Sequence, residues 1–349
     1  MLNRRTFLKT SALLGGLLPF NSFAGQKSVN ALVRPPALNE GDTIGLITPA
    51  SPLFEYHQTV IEVREKLHNL GYQTRIGKNT DKKWGYLAGN IEQRVADLHD
   101  MFADDQVKAI MAIRGGYGSA QLLPYLDYQL IRRHPKILIG YSDVTSLLLG
   151  IHVQTGLVTF HGPVAVSTFT DYTTRHMKRV LSSTTAPIEI EDAPFEENLQ
   201  SSNRIWTYRG GVTKGRLIGG NLTLFQSLLG TPFEPNTEGT IIFLEEVSEE
   251  PYDLDRMLHQ LKMAGKFDHC RGVIFDKMPG VKPADYKPGF NSTLSVEEII
   301  DLVFKDFDFP VCVGFSLGHI KDKPTMPLGV KARLDADAGH LTLLEPAVK

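Results

Sequence analysis

Apolar residues along the chain keep two rhythms that alternate. Short apolar runs of strand type occupy residues 42–49, 72–76, 107–113, 137–139, 157–160, 240–244, 272–275 and 310–313. Between several of them apolar residues recur every three or four positions, as on a helix with one face against a core. Residues 56–70 form such a helix, stopped by Gly71. Asn90 caps another through Phe102, with Gln93 at the capping-box position. Residues 252–263 carry Leu254, Met257, Leu258 and Leu261 on one face, and Ser295 caps a helix to Phe304. Strands alternating with helices predict a parallel sheet covered on both faces, with function at the C-terminal strand ends. From 167 to 202 the pattern weakens into a surface helix and a connector. A second unit begins near Tyr208, with a strand into Gly219-Gly220-Asn221 and a helix to Leu229. It closes on a hairpin of strands at 330–334 and 340–344. The expected domains are therefore 41–166 and 208–349, joined by a connector (167–207) and preceded by a linker (25–40).

Composition narrows the function classes. At 349 residues, with 42% hydrophobic and 22% charged residues, the chain has the make-up of a globular protein of two domains. A net charge of -2 supplies no basic field for nucleic acid. Cys270 and Cys312 lack zinc-site spacing, and whether they pair is open. Residues 1–24 read as a twin-arginine signal peptide: Asn3-Arg4-Arg5-Thr6-Phe7-Leu8-Lys9, a short apolar run, then Ser22-Phe23-Ala24 as a cleavage site. The apolar run falls short of the roughly 20 residues a span requires, and no Cys follows the cleavage site to carry a lipid. The expectation is a periplasmic protein with no stable membrane anchor.

Residues 135–153 carry the sharpest local signal. The strand at 137–139 turns at Gly140-Tyr141-Ser142-Asp143 into a helix with apolar Val144, Leu147, Leu148 and Ile151. Such a turn places Ser142 at the positive end of the helix dipole, beside free backbone N–H groups. Ser142 is then a nucleophile facing oxyanion donors or, with Asp143, a plain helix cap. Both readings stay open locally. Arg114 to Ser119 is glycine-rich between strand and helix, either an anion cradle or a tight turn. It lacks both the Walker ending and GxGxxG.

Of eleven histidines, His161 and His319 follow strands, where α/β sites are built. His152 reads as packed and His340 as structural. His57, His68, His99, His134, His176, His259 and His269 read as ordinary solvated residues. Glu245 ends an apolar strand and is able to orient an imidazole, or else opens a solvated acidic turn with Glu246. No carboxylate and histidine cluster has metal-ligand spacing, so no metal is expected. Ser142, Glu245 and His319 each end a predicted strand, in an order that α/β-hydrolases also use, although the second glycine of GxSxG is missing.

With these residues in view, the chain resembles the LD-carboxypeptidase family of serine peptidases, the S66 family. The resemblance lies in TPAS (48–51), YLAGNIEQRVADL (86–98), RGGYGSAQLLPYLD (114–127), PKILIGYSDVTSL (135–147), FHGP (160–163), GRLIGGNLTL (215–224), IIFLEE with PYDLDRMLHQL (241–261), and GFSLGH (314–319). It implies a flavodoxin- or amidotransferase-like N-terminal domain and a smaller, swivelling β/β/α C-terminal domain. It also implies Ser142 as nucleophile, His319 as base and Glu245, or its neighbour Glu246, as orienting carboxylate. Backbone N–H groups at Asp143 and in the Gly115-Gly116 loop would form the oxyanion hole, with Asp143 mattering for its N–H more than its carboxylate. Arg114 is a candidate for the substrate's terminal carboxylate. The implied activity is release of D-Ala from murein tetrapeptides, without cofactor, by a homodimer. Two alternatives stand beside it. One is a hydrolase of peptidyl-nucleotide antibiotics, for which Trp206 would supply a base platform. The other is a non-catalytic periplasmic binding protein. An exported N-terminus departs from the many family members that work in the cytoplasm.

Overall fold

The computed structural model describes residues 31–191, 193 and 205–349. The expected signal peptide, the first part of the linker and most of the connector after 191 lie outside the described residues. Five short strands form a parallel sheet: β1 (Thr43–Ile47), β2 (Gln73–Ile76), β3 (Val107–Ala112), β4 (Ile137–Gly140) and β5 (Phe160–His161). Their spatial order is β5-β4-β3-β1-β2, the doubly wound arrangement of flavodoxin-like sheets. β3 and β4 are apolar on both faces because helices cover both. These are α1 (Tyr56–Asn69), α2 (Ile91–Ala103), α3 (Tyr128–Arg133) and α4 (Thr145–Thr155). Asn90 and Gln93 form the expected reciprocal capping box at the start of α2.

The second lobe is organised around a mixed sheet of eight strands. Its centre is parallel: β8 (Val212–Asn221), β9 (Thr240–Glu245), β10 (Gly272–Asp276) and β11 (Val311–Phe315). β7 (Trp206–Arg209) lies antiparallel at one edge. The hairpin of β13 (Lys331–Asp335) and β14 (His340–Leu343) extends the other side. Helices α6 (Leu222–Ser227), α7 (Pro251–Met263) and α8 (Val296–Phe304) complete the lobe.

The chain crosses between the lobes more often than its pattern implies. Within the expected connector, α5 (Asp171–Ser182) is followed by β6 (Ile188–Ile190), which joins the second sheet beside β14. In return β12 (Met326–Pro327) pairs antiparallel with β5 in the first sheet. Residues expected as a linker are packed. Val33 bridges to Leu157, Leu38 is buried, and its N–H donates to the carbonyl of Leu181. α4 is buried almost all round, since it lies between its own sheet and the second lobe. That closeness depends on Gly220, whose Cβ, if it had one, would stand 2.6 Å from Thr145. Thr145 Oγ1 accepts the N–H of Asn221 across the junction at 3.1 Å. Cys270 and Cys312 are separate free thiols, and burial pushes them up to about 12 and about 11.

Candidate active site

Ser142 follows β4 with φ of +62°, a left-handed conformation that L-residues with a side chain rarely adopt. Neither Ser142 nor Asp143 caps α4: its N-cap, Val144, offers no side-chain bond. Instead Ser142 Oγ lies 3.1 Å from His319 Nε2, and His319 Nδ1 lies 2.8 Å from Glu245 Oε2. A carboxylate only accepts, so Nδ1 carries the imidazole proton and Nε2 is left to accept from the Ser142 hydroxyl. Glu245 is fully buried at the end of β9, while the His319 side chain keeps 23% of its surface exposed.

The local alternatives resolve in three dimensions. Glu246 turns the other way, accepting from Asn221 Nδ2, Thr223 N–H and the Thr223 hydroxyl at the start of α6. His161 is buried under the site. Its Nε2–H donates to the carbonyl of Leu317 (3.0 Å), two residues ahead of His319, and its ring meets Tyr141 and Phe243 edge-on. Burial holds its imidazole below the usual range, so it props the His319 loop as a neutral group. Gly318 is required by contact: a Cβ there would fall 2.1 Å from Glu245 Oε2.

Asp143 has a structural part beyond the expected one. Its carboxylate is buried and accepts the N–H groups of Gly118 (3.1 Å) and Ser119 (2.8 Å), while the Ser119 hydroxyl donates back to its carbonyl. The carboxylate thus ties the glycine loop to the Ser142 turn. In that loop, a Cβ on Gly115 would sit 3.1 Å from Ser142 Cβ and 3.5 Å from Asp143 N. The missing side chain leaves open space between loop and hydroxyl. Gly116, at φ of +122°, lies against Ser51, whose hydroxyl accepts the N–H of Tyr117. Arg114 donates to the carbonyl of Pro52 (3.2 Å) and stacks 5.0 Å over Phe54.

Ser142, His319, Arg114 and the Gly115-Gly116 backbone line a cavity of about 570 Å³. Phe54 enters it from the loop after β1, Arg114 from after β3, Tyr141 and Ser142 from after β4, Val164 from after β5, and His319 from after β11. All follow carboxyl ends of strands, as open α/β sheets require. Lys323 carries no local signal in the chain. It is buried against the Tyr141 ring (5.2 Å), and burial lowers it to about 8 against the opposing pull of Asp322 and Glu245. Trp206 lines a separate cavity of about 830 Å³ with Met278 and Val296. Among the described residues, no group of three or more His, Cys, Asp or Glu is placed to hold a metal, and no helix is long and apolar enough to cross a membrane.

Comparison with known proteins places the chain in a family. Residues 44–162 match the LD-carboxypeptidase N-terminal domain and residues 214–334 the LD-carboxypeptidase C-terminal domain. A probable murein peptide carboxypeptidase of Bacillus subtilis is 38% identical over 307 residues, covering 86% of this chain and 91% of the relative. Among solved structures, the microcin C7 self-immunity protein MccF superposes with a TM-score of 0.82 at 28% identity, covering 91% of this chain and all of its own. The muramoyltetrapeptide carboxypeptidase of Oxalobacter formigenes gives 0.73 at 27% identity, over 86% of this chain and 97% of that one. The mixed two-lobed α/β fold is shared with both. The chain belongs to the LD-carboxypeptidase family of S66 peptidases.

Proposed function

We propose that the protein is a serine-type carboxypeptidase that hydrolyses the L,D-amide bond releasing the terminal D-amino acid, D-Ala, from murein tetrapeptides. The observation that carries this reading is the unbroken row from Ser142 through His319 to Glu245 at the wall of an open cavity. His319 takes the Ser142 proton at Nε2 as the hydroxyl attacks the peptide carbonyl, then returns it to the leaving amine. Glu245 holds the imidazole in the tautomer that keeps Nε2 free and stabilises the imidazolium that forms. The N–H groups of Asp143 and of the Gly115-Gly116 loop would bind the oxyanion as it develops. Water then resolves the acyl-enzyme by the same proton path. Arg114, at the rim of the same cavity, is the candidate partner for the substrate's terminal carboxylate.

The relation to MccF favours a second reading, hydrolysis of a peptidyl-nucleotide antibiotic, but Trp206, the expected base platform, lies in a cavity apart from Ser142 and His319. Murein tetrapeptide and an aminoacyl-sulfamoyl nucleotide, incubated side by side with the mature protein and followed by mass spectrometry, separate the two. Loss of D-Ala from the tetrapeptide is the expected result. Turnover of the nucleotide alone would replace the first reading with the second. We assign the work to the periplasm on the twin-arginine segment at 3–9, and Arg4→Lys with Arg5→Lys should retain the protein in the cytoplasm on fractionation.

A further inference from the structure

Glu245 uses only half of its carboxylate on His319. Oε2 takes the Nδ1–H, while Oε1 is buried and has no hydrogen-bond partner among the described residues. β9 and β10 run parallel in register from Ile241↔Gly272 to Leu244↔Phe275; Glu245 and Asp276 are the next residue of each strand, and the N–H of Glu246 reaches Asp276 Oδ1 (3.4 Å). Side chains in register across a parallel pair share one face of the sheet. Asp276 is fully buried as well. Its Oδ1 accepts the N–H of Met278 (2.9 Å) and that of Glu246 (3.4 Å), and its Oδ2 is, like Glu245 Oε1, buried and unpartnered.

Two neighbouring carboxyl groups each leave one buried oxygen without a donor among the described residues. Two negative charges side by side in such a place repel strongly, and one proton between them relieves both defects. Glu245 is the ionised member, since its other oxygen accepts from His319. Burial first, and then the charge of Glu245, push Asp276 well above the usual carboxylate range. The other charged groups near it do not supply the missing donor. Glu246 adds a like charge from β9, Lys323 acts on Glu245 from the far lobe side, and Lys277, Lys282, Glu297 and Glu298 line the neighbouring open cavity.

We propose that Asp276 is kept as a neutral carboxylic acid whose Oδ2–H donates to Glu245 Oε1, extending the row of Ser142, His319 and Glu245 by a fourth, positioning member. Asp276 touches no reacting atom. It fixes the plane of the Glu245 carboxylate so that Oε2 stays on the imidazole, and it adds no second charge to a dry site. The kinetic part of this inference rests on the serine-peptidase reading above; the protonation state does not.

Infrared difference spectra of the mature protein at pH 7 test the proton directly. The carbonyl stretch of a neutral carboxylic acid should be present in the wild type and in Ser142→Ala, and absent in Asp276→Asn. A spectrum with no band that depends on Asp276 overturns the proposal whatever happens to turnover. Kinetically, Asp276→Asn keeps a donor toward Oε1 and removes no charge. It should retain kcat within about threefold and leave the acid limb of the kcat/KM profile in place, whereas Asp276→Ala should lower kcat about tenfold at unchanged KM, the factor one such hydrogen bond is worth. An acid limb displaced in Asp276→Asn would reveal an ionised Asp276 and overturn the assignment. If Asp276→Ala does not fold, the Asn variant and the spectrum still decide.

Discussion

At the end of β4 the reactive group stands on strained backbone and is braced by neutral N–H donors. Ser142 holds φ of +62°, and the next residue, Asp143, ties the turn to the Gly118-Ser119 backbone. At the end of β9 the backbone is regular, and the special feature is charge: Glu245 is fully buried with Asp276 and Glu246 close by. One half of the site is therefore set by conformation inside one lobe. The other half is set by desolvation and needs β9, β10 and the loop after β11 together. Loss of a contact should act sharply at the first and be spread through a network at the second.

The largest break of this comparison removes the reacting groups themselves. Ser142→Ala or His319→Ala should cut kcat by on the order of 10³-fold or more, with thermal melting unchanged. Near-normal turnover in either would remove the basis for the row. Next comes the contact that lets the second half approach. Gly318→Ala places a methyl where Glu245 Oε2 now lies and should cost about 10²-fold in kcat, the scale of a small misplacement of a catalytic group. Parity with wild type would show that the loop can shift without harm.

A smaller effect is expected on the conformational half. Asp143→Asn turns an amide donor toward one of the two N–H groups and should destabilise the fold by about 1–3 kcal/mol in urea titration. It should lower kcat/KM as the glycine loop loosens. A stability loss without any kinetic change would confine Asp143 to folding.

Away from both strand ends, His176 provides a control in which burial acts on stability alone. It packs 4.4 Å from the Tyr172 ring with 1% of its side chain exposed, contrary to the solvated reading of its position. Burial lowers its pKa to about 4, against the pull of Glu191. The unfolded chain therefore takes up this proton first as pH falls. The contribution is complete above pH 6.5 and is lost toward pH 4, amounting to about 3 kcal/mol for a shift of this size. His176→Phe should flatten that part of the stability profile, and an unchanged profile would place the acid sensitivity elsewhere. Smallest of all, a metal chelator should leave turnover unchanged, and inhibition would point to a metallopeptidase.

Most strands, the capping box at Asn90, the cap at Ser295 and the terminal hairpin could be read directly, because apolar spacing and caps are local properties. So could the positions of Ser142, Glu245 and His319 at strand ends. Their roles were a different matter. Whether Ser142 caps a helix or faces an imidazole depends on a contact 177 residues away. The choice between Glu245 and Glu246 depends on which side of β9 meets the loop after β11, and that between His161 and His319 on which ring lies under the sheet. β6 and β12 are three and two residues long, too short to announce themselves, and each is held by a partner strand far away along the chain. The carboxylate of Asp143, the burial of His176 and the pairing of Asp276 with Glu245 were hidden for the same reason. Desolvation and long-range hydrogen bonds are properties of the packed molecule. The amino-acid order settled which groups are available at each strand end, and only the packing of the two lobes decided which of them meet.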